Sequence, residues 1–334
     1  MHHDEILLIH LGGLGDMCLS ESTFSSLSAH FSRNIVALGY TRFFRLFETY
    51  FKRIERIESA RWLPLFSQYT PDVTWERIIF IGKDREGALR EKWGRMSREP
   101  MIFIEMYPEE QGSRSQGFEG SRGHKGRVRG VEGSRGRGVT SEEVMQKEDG
   151  ADQSAIRNPH LHRKRLGGQA QSEMKYHVEE FQLMQLGQYG IEAKKKEITP
   201  NLSRRVILYP EKGFKKEKWH YENFVRLYYL LKSKGVDVHM LKSMGLETDV
   251  KEAVFFEELI EVRAFFGKGG IFVSNDSGMA HLAGMCGLYT ITIFNDFDPD
   301  IWHPRGNGTR LQSRKDMVDI PSMETKILEA RPFS

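Results

Sequence analysis

The sequence predicts an α/β protein of two Rossmann-like halves with a cleft between them. Three observations carry this. Strand and helix patterns alternate from residue 4 to residue 110, and they alternate again after residue 174. In each half an apolar run ends in a glycine-containing turn that opens a helix. Such alternation favours a parallel sheet with helices on both faces. Ligands then sit beyond the carboxyl ends of the strands.

In the first half the expected strands are Glu5–His10, Asn34–Leu38, Arg77–Ile81 and Met101–Glu105. The expected helices are Met17–Phe31, Arg42–Ile54 and Arg85–Met96. The second of these carries a stripe of Phe43, Phe47, Tyr50 and Ile54 with Phe44 and Phe51 beside it, edged by Arg42, Arg45, Lys52, Arg53 and Arg56. Such a helix can lie on an anionic membrane surface. It equally suits a core helix with a solvated basic edge, which is the commoner case.

Residues 111–172 break the pattern. Gly, Ser, Arg and Glu dominate, and GluGlySerArgGly occurs at 119–123 and again at 132–136. Without apolar periodicity the segment cannot bury enough surface to offset its ordering entropy, so it is expected to be a disordered, low-complexity insertion. Its basic part contains only Phe118 for stacking on bases, which argues against a nucleic-acid arm.

Order returns with a helix over Met174–Tyr189, which Gly190 can stop. The second set of strands is Arg205–Tyr209, Asp237–Leu241, Gly270–Ser274 and Tyr289–Phe294. Its helices are Tyr221–Lys234, a segment around Phe256–Phe266, Met279–Met285 and one near Met323–Ala330. The domain expectation is therefore 1–110, the insertion 111–172, and 173–334 including a crossover helix.

Composition narrows the function classes. The 334 residues carry a net charge of only +3, too little to imply nucleic-acid binding by itself. Two cysteines, Cys18 and Cys286, form no disulfide framework or zinc motif, so a reducing, cytoplasmic compartment is expected. No run of about 18 apolar residues suggests a membrane span. The first strand follows Asp4 and Glu5, unlike a signal peptide.

Two corners carry candidate chemistry. Ile6–Asp16 runs from a strand through Gly12, Gly13 and Gly15 to Asp16. Helix N-terminal amides lack intrahelical partners and face anions. Taken alone, Asp16 also reads as an ordinary helix N-cap. The spacing is not the GxGxxG of a dinucleotide fingerprint. In the second half, Ile271–Asn275 leads into Asp276, Ser277 and Gly278, and a helix follows with His281 in its first turn. Ser277 and Gly278 would offer amides to a phosphate oxygen, and His281 could donate to the same anion. The alternative is a plain turn with Asp276 as an Asx-cap. A third segment, Tyr209-Pro210-Glu211-Lys212-Gly213 followed by Lys215-Lys216-Glu217-Lys218-Trp219, places lysines after a strand, as a diphosphate site or a solvated loop would. Asp296, Asp298 and Asp300 mimic a calcium loop, but the sixth and twelfth positions are Ile301 and Asn307, so no metal site is expected.

These motifs, in this order, resemble glycosyltransferase family 9, the ADP-heptose:lipopolysaccharide heptosyltransferases. IleLeuLeuIleHisLeuGlyGlyLeuGlyAsp is similar to the family's N-terminal strand and Gly-x-Gly-Asp-type turn. LeuTyrPro with LysTrpHisTyrGluAsnPhe is similar to its His-Pro-Gly-Ser-Gly and Lys-x-Trp-Pro-x-x-x-Phe segment. PheValSerAsnAspSerGlyMetAlaHisLeuAlaGly, then PheAsnAspPheAspPro and TrpHisPro, is similar to its Asp-Ser/Thr-Gly-x-x-His-Leu-Ala signature. The match covers nearly all of the chain except 111–172.

The resemblance implies a GT-B fold and an inverting, metal-independent transfer with no cofactor beyond the nucleotide-sugar donor. Asp16 would be the general base, kept ionised but weakly basic by its helix N-terminus. Gly12, Gly13, Gly15, Lys212, Lys216, Lys218, Glu247, Asp276, Ser277, Gly278 and His281 would bind the nucleotide-sugar and its phosphates. The sugar would be a heptose carried on ADP or another nucleoside diphosphate. The acceptor would be a lipopolysaccharide or another lipid-linked cell-envelope saccharide, with peripheral contact at the cytoplasmic face of the inner membrane. No nucleic-acid partner is implied. The chain departs from the family where Glu211-Lys212-Gly213 replaces Gly-Ser-Gly and His220 replaces proline. The altered loop leaves a second reading, a nucleotide-sugar-binding protein of the same fold without turnover.

Overall fold

The computed structural model describes residues 2–67, 73–108, 175–210, 219–242, 248, 250–295, 297–313, 316 and 318–330. These all belong to one compact unit formed by Met1–Glu109 and Met174–Ser334. The insertion 111–172 lies outside the described residues. In chain order the first half contains β1 (His2–His10), α1 (Leu14–Leu19), α2 (Glu21–His30), β2 (Ile35–Gly39), α3 (Thr41–Phe44), β3 (Arg53–Arg56), α4 (Leu63–Phe66), β4 (Thr74–Gly82), α5 (Ala88–Gly94) and β5 (Ile102–Glu105). Then come α6 (Val178–Leu186), β6 (Val206–Tyr209), α7 (Tyr221–Ser233), β7 (Val238–Met240), α8 (Leu259–Phe266), β8 (Ile271–Asn275), α9 (Gly278–Met285), β9 (Tyr289–Phe294), α10 (Pro299–Trp302), β10 (Gly308–Gln312) and α11 (Ile320–Ala330).

Both sheets have five parallel strands. The first runs β3-β2-β1-β4-β5 and the second β10-β9-β8-β6-β7. Strand order reverses between β1 and β4 in one sheet and between β6 and β8 in the other. The crevice beyond the carboxyl ends at such a reversal is where open α/β sheets hold ligands. Gly12–Asp16 follows β1, and Asp276–His281 follows β8. Both expected corners therefore stand at a switch point.

The strands read as near-continuous apolar runs because both faces are covered. Along β1, Leu7 and Ile9 face Trp62, Trp75, Phe80 and Trp93. Ile6 and Leu8 face Phe24, Phe44 and Phe47. This second cluster continues through Met17 and Cys18 to Ile207, Phe272, Met279 and Leu282, so the halves share apolar packing. The outer face of the second sheet packs Val206, Leu208, Ile271 and Ile291 on Phe224, Leu227 and Leu231 of α7. No helix among the described residues is long and apolar enough to cross a membrane.

Two expectations about elements are corrected. The helix Arg42–Ile54 is instead α3, a 3-10 turn over Arg45–Tyr50, and strand β3 paired in parallel with β2. Phe47 leaves helical geometry at φ −123°, ψ 16°. Its aromatic stripe is core: Phe43, Phe44, Phe47 and Phe51 are all buried, with Phe24 at the centre of the ring contacts. Those rings give no apolar face to a bilayer, and Lys52 and Arg53 pair with Glu5. The long helix Met17–Phe31 is two helices, broken at Ser20. The crossover helix α6, expected with the second half, packs on the first sheet. Gln185 bonds both backbone groups of Glu105, and Gln182 bonds the Met106 carbonyl. It ends through Gly190 at φ +69°, the left-handed position expected of that glycine.

Candidate functional site

Asp16 is the third residue of α1, not its N-cap. The cap position is Gly13, and Asp16 Oδ2 reaches back to accept from the Gly13 amide at 2.8 Å. The Gly12 amide donates to His10 Nδ1 at 3.2 Å. His10 Nε2 lies 3.2 Å from Ser20 Oγ, and Ser20 Oγ donates to the Asp16 carbonyl at 2.8 Å. With Nδ1 accepting, the neutral imidazole carries its proton on Nε2 and donates to Ser20. Burial suits this neutral form and holds His10 down at about 3. The amides of Gly12 and Gly13 are therefore already paired inside the turn. What Gly12 provides is room: a Cβ there would lie 2.6 Å from Asp16 Cβ and 2.7 Å from His10 Cε1.

The second oxygen of Asp16 has a partner that the sequence reading missed. The Tyr107 hydroxyl, two residues past β5, donates to Oδ1 at 2.6 Å. Lys83, just past β4, adds a nearby positive charge. The sequence signal was their place after parallel strands, on the same sheet edge as Asp16. Burial nevertheless outweighs the Tyr107, Gly13 and Lys83 contributions and raises Asp16 above the ordinary aspartate range. The expectation of a weakly basic carboxylate is corrected on this point. Partial burial penalises the anion more than the donors stabilise it.

In the second half, Ser277 caps α9, accepting from the Ala280 amide at 3.3 Å. Asp276 is not the cap. Its backbone amide donates to Ile293 on β9 at 2.9 Å. The Ala280 and His281 amides also turn back to the Ser277 carbonyl, at 3.1 Å and 3.4 Å, so only the Gly278 and Met279 amides have no carbonyl to reach inside the helix. His281 is buried, and its Nε2 lies 4.0 Å from Asp276 Oδ1. Its Nδ1 has no hydrogen-bond partner among the described residues. Burial, with His177 adding to it, holds His281 down at about 3, so it is neutral. Asn275 fastens the end of the lysine segment to this corner: its Oδ1 accepts from the Trp219 amide at 3.0 Å and its Nδ2 donates to the Trp219 carbonyl at 3.2 Å. Lys212, Lys216, Lys218 and Glu247 lie outside the described residues.

The two corners meet. A Cβ at Gly15 would stand 3.0 Å from His281 Cδ2, and one at Gly278 would stand 3.0 Å from Leu14 Cβ and 3.3 Å from the Gly15 nitrogen. Glycine at both places lets α1 and α9 approach. Gly278→Ala requires this contact to give by a few tenths of an ångström, and the Gly15 backbone nitrogen cannot rotate away. We expect about 1–3 kcal/mol lower stability, the usual cost of overpacking, read from the urea midpoint. An unchanged midpoint would show that the corners separate freely. Elsewhere a cavity of about 620 Å³ is lined by Lys175, Phe297, Asp298, Asp300 and Arg310, and contains none of the expected site residues. Its Asp298 caps α10 and pairs with Lys175 at 2.5 Å.

No protein-family model and no curated protein matches the sequence. Solved structures do resemble the fold. E. coli heptosyltransferase WaaC with ADP aligns at a TM-score of 0.57 and 12% identity, over 98% of this chain and 99% of that one. The glycosyl transferase family 9 structure from Veillonella parvula aligns at 0.54 and 12%, over 99% and 92%. E. coli ADP-heptose LPS heptosyltransferase II aligns at 0.50 and 14%, over 97% and 99%. At these identities the likeness is one of fold, and it runs along nearly the whole of each chain.

Proposed function

We propose that this chain is an inverting glycosyltransferase of the GT-B type. It would move a heptose from a nucleoside-diphosphate sugar to a hydroxyl of lipopolysaccharide or another cell-envelope saccharide. The observation that carries the reading is the meeting of two switch-point corners, one holding a carboxylate of raised basicity and the other a capped helix N-terminus. WaaC structures described with ADP and with ADP-2-deoxy-2-fluoro heptose share the fold, which supports ADP as the carrier.

In this reading the acceptor oxygen attacks the anomeric carbon while Asp16 takes its proton. The bond from that carbon to the diphosphate breaks, and the nucleoside diphosphate leaves with the electron pair. One displacement inverts the carbon. The leaving charge would be met by the Gly278 and Met279 amides of α9 and by neutral His281, whose buried Nδ1 has no partner among the described residues. Lysines of the 212–218 segment would add point charge. The mechanism calls on no metal or cofactor.

Thermal shift with ADP, UDP, GDP and a short oligonucleotide tests the donor side. A diphosphate at a hundred times its Kd should stabilise the fold by about 2.7 kcal/mol. No shift with any diphosphate, or a shift with the oligonucleotide alone, would sink the proposal. Transfer from an ADP-heptose then separates an enzyme from a protein of this fold that binds without turnover.

A further inference from the structure

Tyr107 occupies a place that neither the motifs nor the fold explain. The backbone before it and the contacts of its ring both hold it. The preceding Met106 is buried, its amide donates to the Gly82 carbonyl at 3.1 Å, and its carbonyl accepts from Gln182 Nε2 at 3.3 Å. The Tyr107 ring packs against Trp302 of α10 with centroids 4.6 Å apart, and Lys83 Nζ lies 4.4 Å from its centre. A ring held between the halves delivers its hydroxyl to one atom, Asp16 Oδ1, at 2.6 Å. The bond has a fixed direction. Burial and the facing carboxylate push the Tyr107 phenol well above the ordinary tyrosine range, so it stays protonated and donates.

We propose that Tyr107 is a positioning residue for Asp16, holding its carboxylate in one orientation and setting how readily it takes a proton. The Gly13 amide fixes Oδ2 and the phenol fixes Oδ1, so two donors from different elements define the carboxylate plane. Each oxygen keeps a second lone pair, and one of these remains for the acceptor hydroxyl. A donor to the anion favours the anion, so Tyr107 opposes the effect of burial. The other groups facing Asp16 are Lys83 past β4, His10 and Cys18 on its own strand and helix, and His281 of α9 against Gly15. Burial keeps both histidines neutral and Cys18 protonated, so Lys83 is the one cation among these.

The proposal rests on reading Asp16 as the base, and its test separates the two ideas. Tyr107→Phe keeps the ring between Trp302 and Lys83 and removes only the hydroxyl. The Asp16 carboxyl is titrated by carbon NMR in aspartate-labelled protein, its resonance assigned by loss in Asp16→Asn. Tyr107→Phe should move this titration to higher pH. The rate of sugar transfer should fall about tenfold on the acid side and recover as the pH rises, with the KM for donor unchanged. An unmoved Asp16 titration overturns the proposal whatever the rate does. A rate loss equal at every pH also overturns it, since a purely structural tyrosine would give that. A moved titration with an unmoved rate profile supports the tuning and removes Asp16 as base.

Discussion

Asp16→Asn should lower the rate of sugar transfer by about 10²–10⁴-fold while leaving nucleoside diphosphate binding intact. The carboxamide has the size of the carboxylate but no affinity for a proton at working pH. Donor binding should survive because, in the proposed mechanism, the diphosphate is met by α9 and not by the Asp16 side chain. The same group fixes the acid limb of the native profile. In the proposed mechanism Asp16 must be ionised to act, and burial raises its pKa above the ordinary aspartate value. Activity should therefore fade, as the pH falls, earlier than a solvent-exposed aspartate would dictate. The stability sign is opposite to that of a salt-bridged carboxylate. The folded state holds this proton more tightly than the unfolded chain, so the contribution is fully present below the unfolded value of about 3.9 and is lost as the pH rises through the folded pKa. Asp16→Asn removes that pH dependence, although its amide meets either Gly13 N–H or Tyr107 O–H donor to donor. Isothermal titration with ADP, beside transfer assays from pH 4 to pH 8, checks both statements. Full turnover by the variant would remove Asp16 from the mechanism.

Arg305→Met should be the most destabilising single change, at about 3–5 kcal/mol, because it leaves buried carboxylates without their main partner. Arg305 is 3% exposed. It pairs with Glu21 at 2.5 Å, and its Nε lies 2.6 Å from Glu179 Oε1 as an ion pair more than an aligned hydrogen bond. Its remaining donors reach Ser22 Oγ at 3.2 Å and the Lys196 carbonyl at 2.9 Å. One guanidinium thus ties the loop after α10 to α2, to α6 and to the segment entering the second half. Lys196 lies 3.0 Å from Glu21 and Lys195 3.7 Å from Glu179, so some compensation remains. Arg305→Lys should fall between the two, since an ammonium cannot match the planar fork. Glu21 adds a pH dependence. Burial raises its pKa, but Arg305 and Lys196 outweigh it and leave the net value lowered. Its stabilisation is therefore present above the unfolded carboxylate value of about 4.3 and is lost as the pH falls through the lower folded value. Urea unfolding of the variants at pH 7 and pH 4 measures this. A loss below about 1 kcal/mol at pH 7 would mean that the network holds nothing together.

The two corners of the candidate site were legible because the residues of each are close in sequence. Gly12 to Asp16 and Asp276 to His281 each span one strand end and one helix start, where local geometry sets what the backbone offers. Tyr107 was not legible in the same way. Its partner lies 91 positions away, and a lone tyrosine after a strand has no local signature. Arg305 was hidden for the same reason, since it meets Glu21 and Glu179 only after the halves pack. The strand β3 was missed because its residues continue an aromatic stripe with helical spacing. Edge pairing with β2 decided the last turn of that stripe, and pairing energy has no representation in a local pattern.

By itself the sequence determined the two alternating halves, the carboxyl-end corners and the identity of Asp16 and His281 as candidate groups. Periodicity and turn chemistry act over a few residues, so they can be read from a few residues. The tertiary structure decided the strand orders that place each corner at a reversal, and the glycine-to-histidine contact that joins them. It also decided the sign of the Asp16 shift. The sequence shows a helix N-terminus, which favours the anion, but only packing shows how much water the carboxylate has lost, and here that loss is the larger effect.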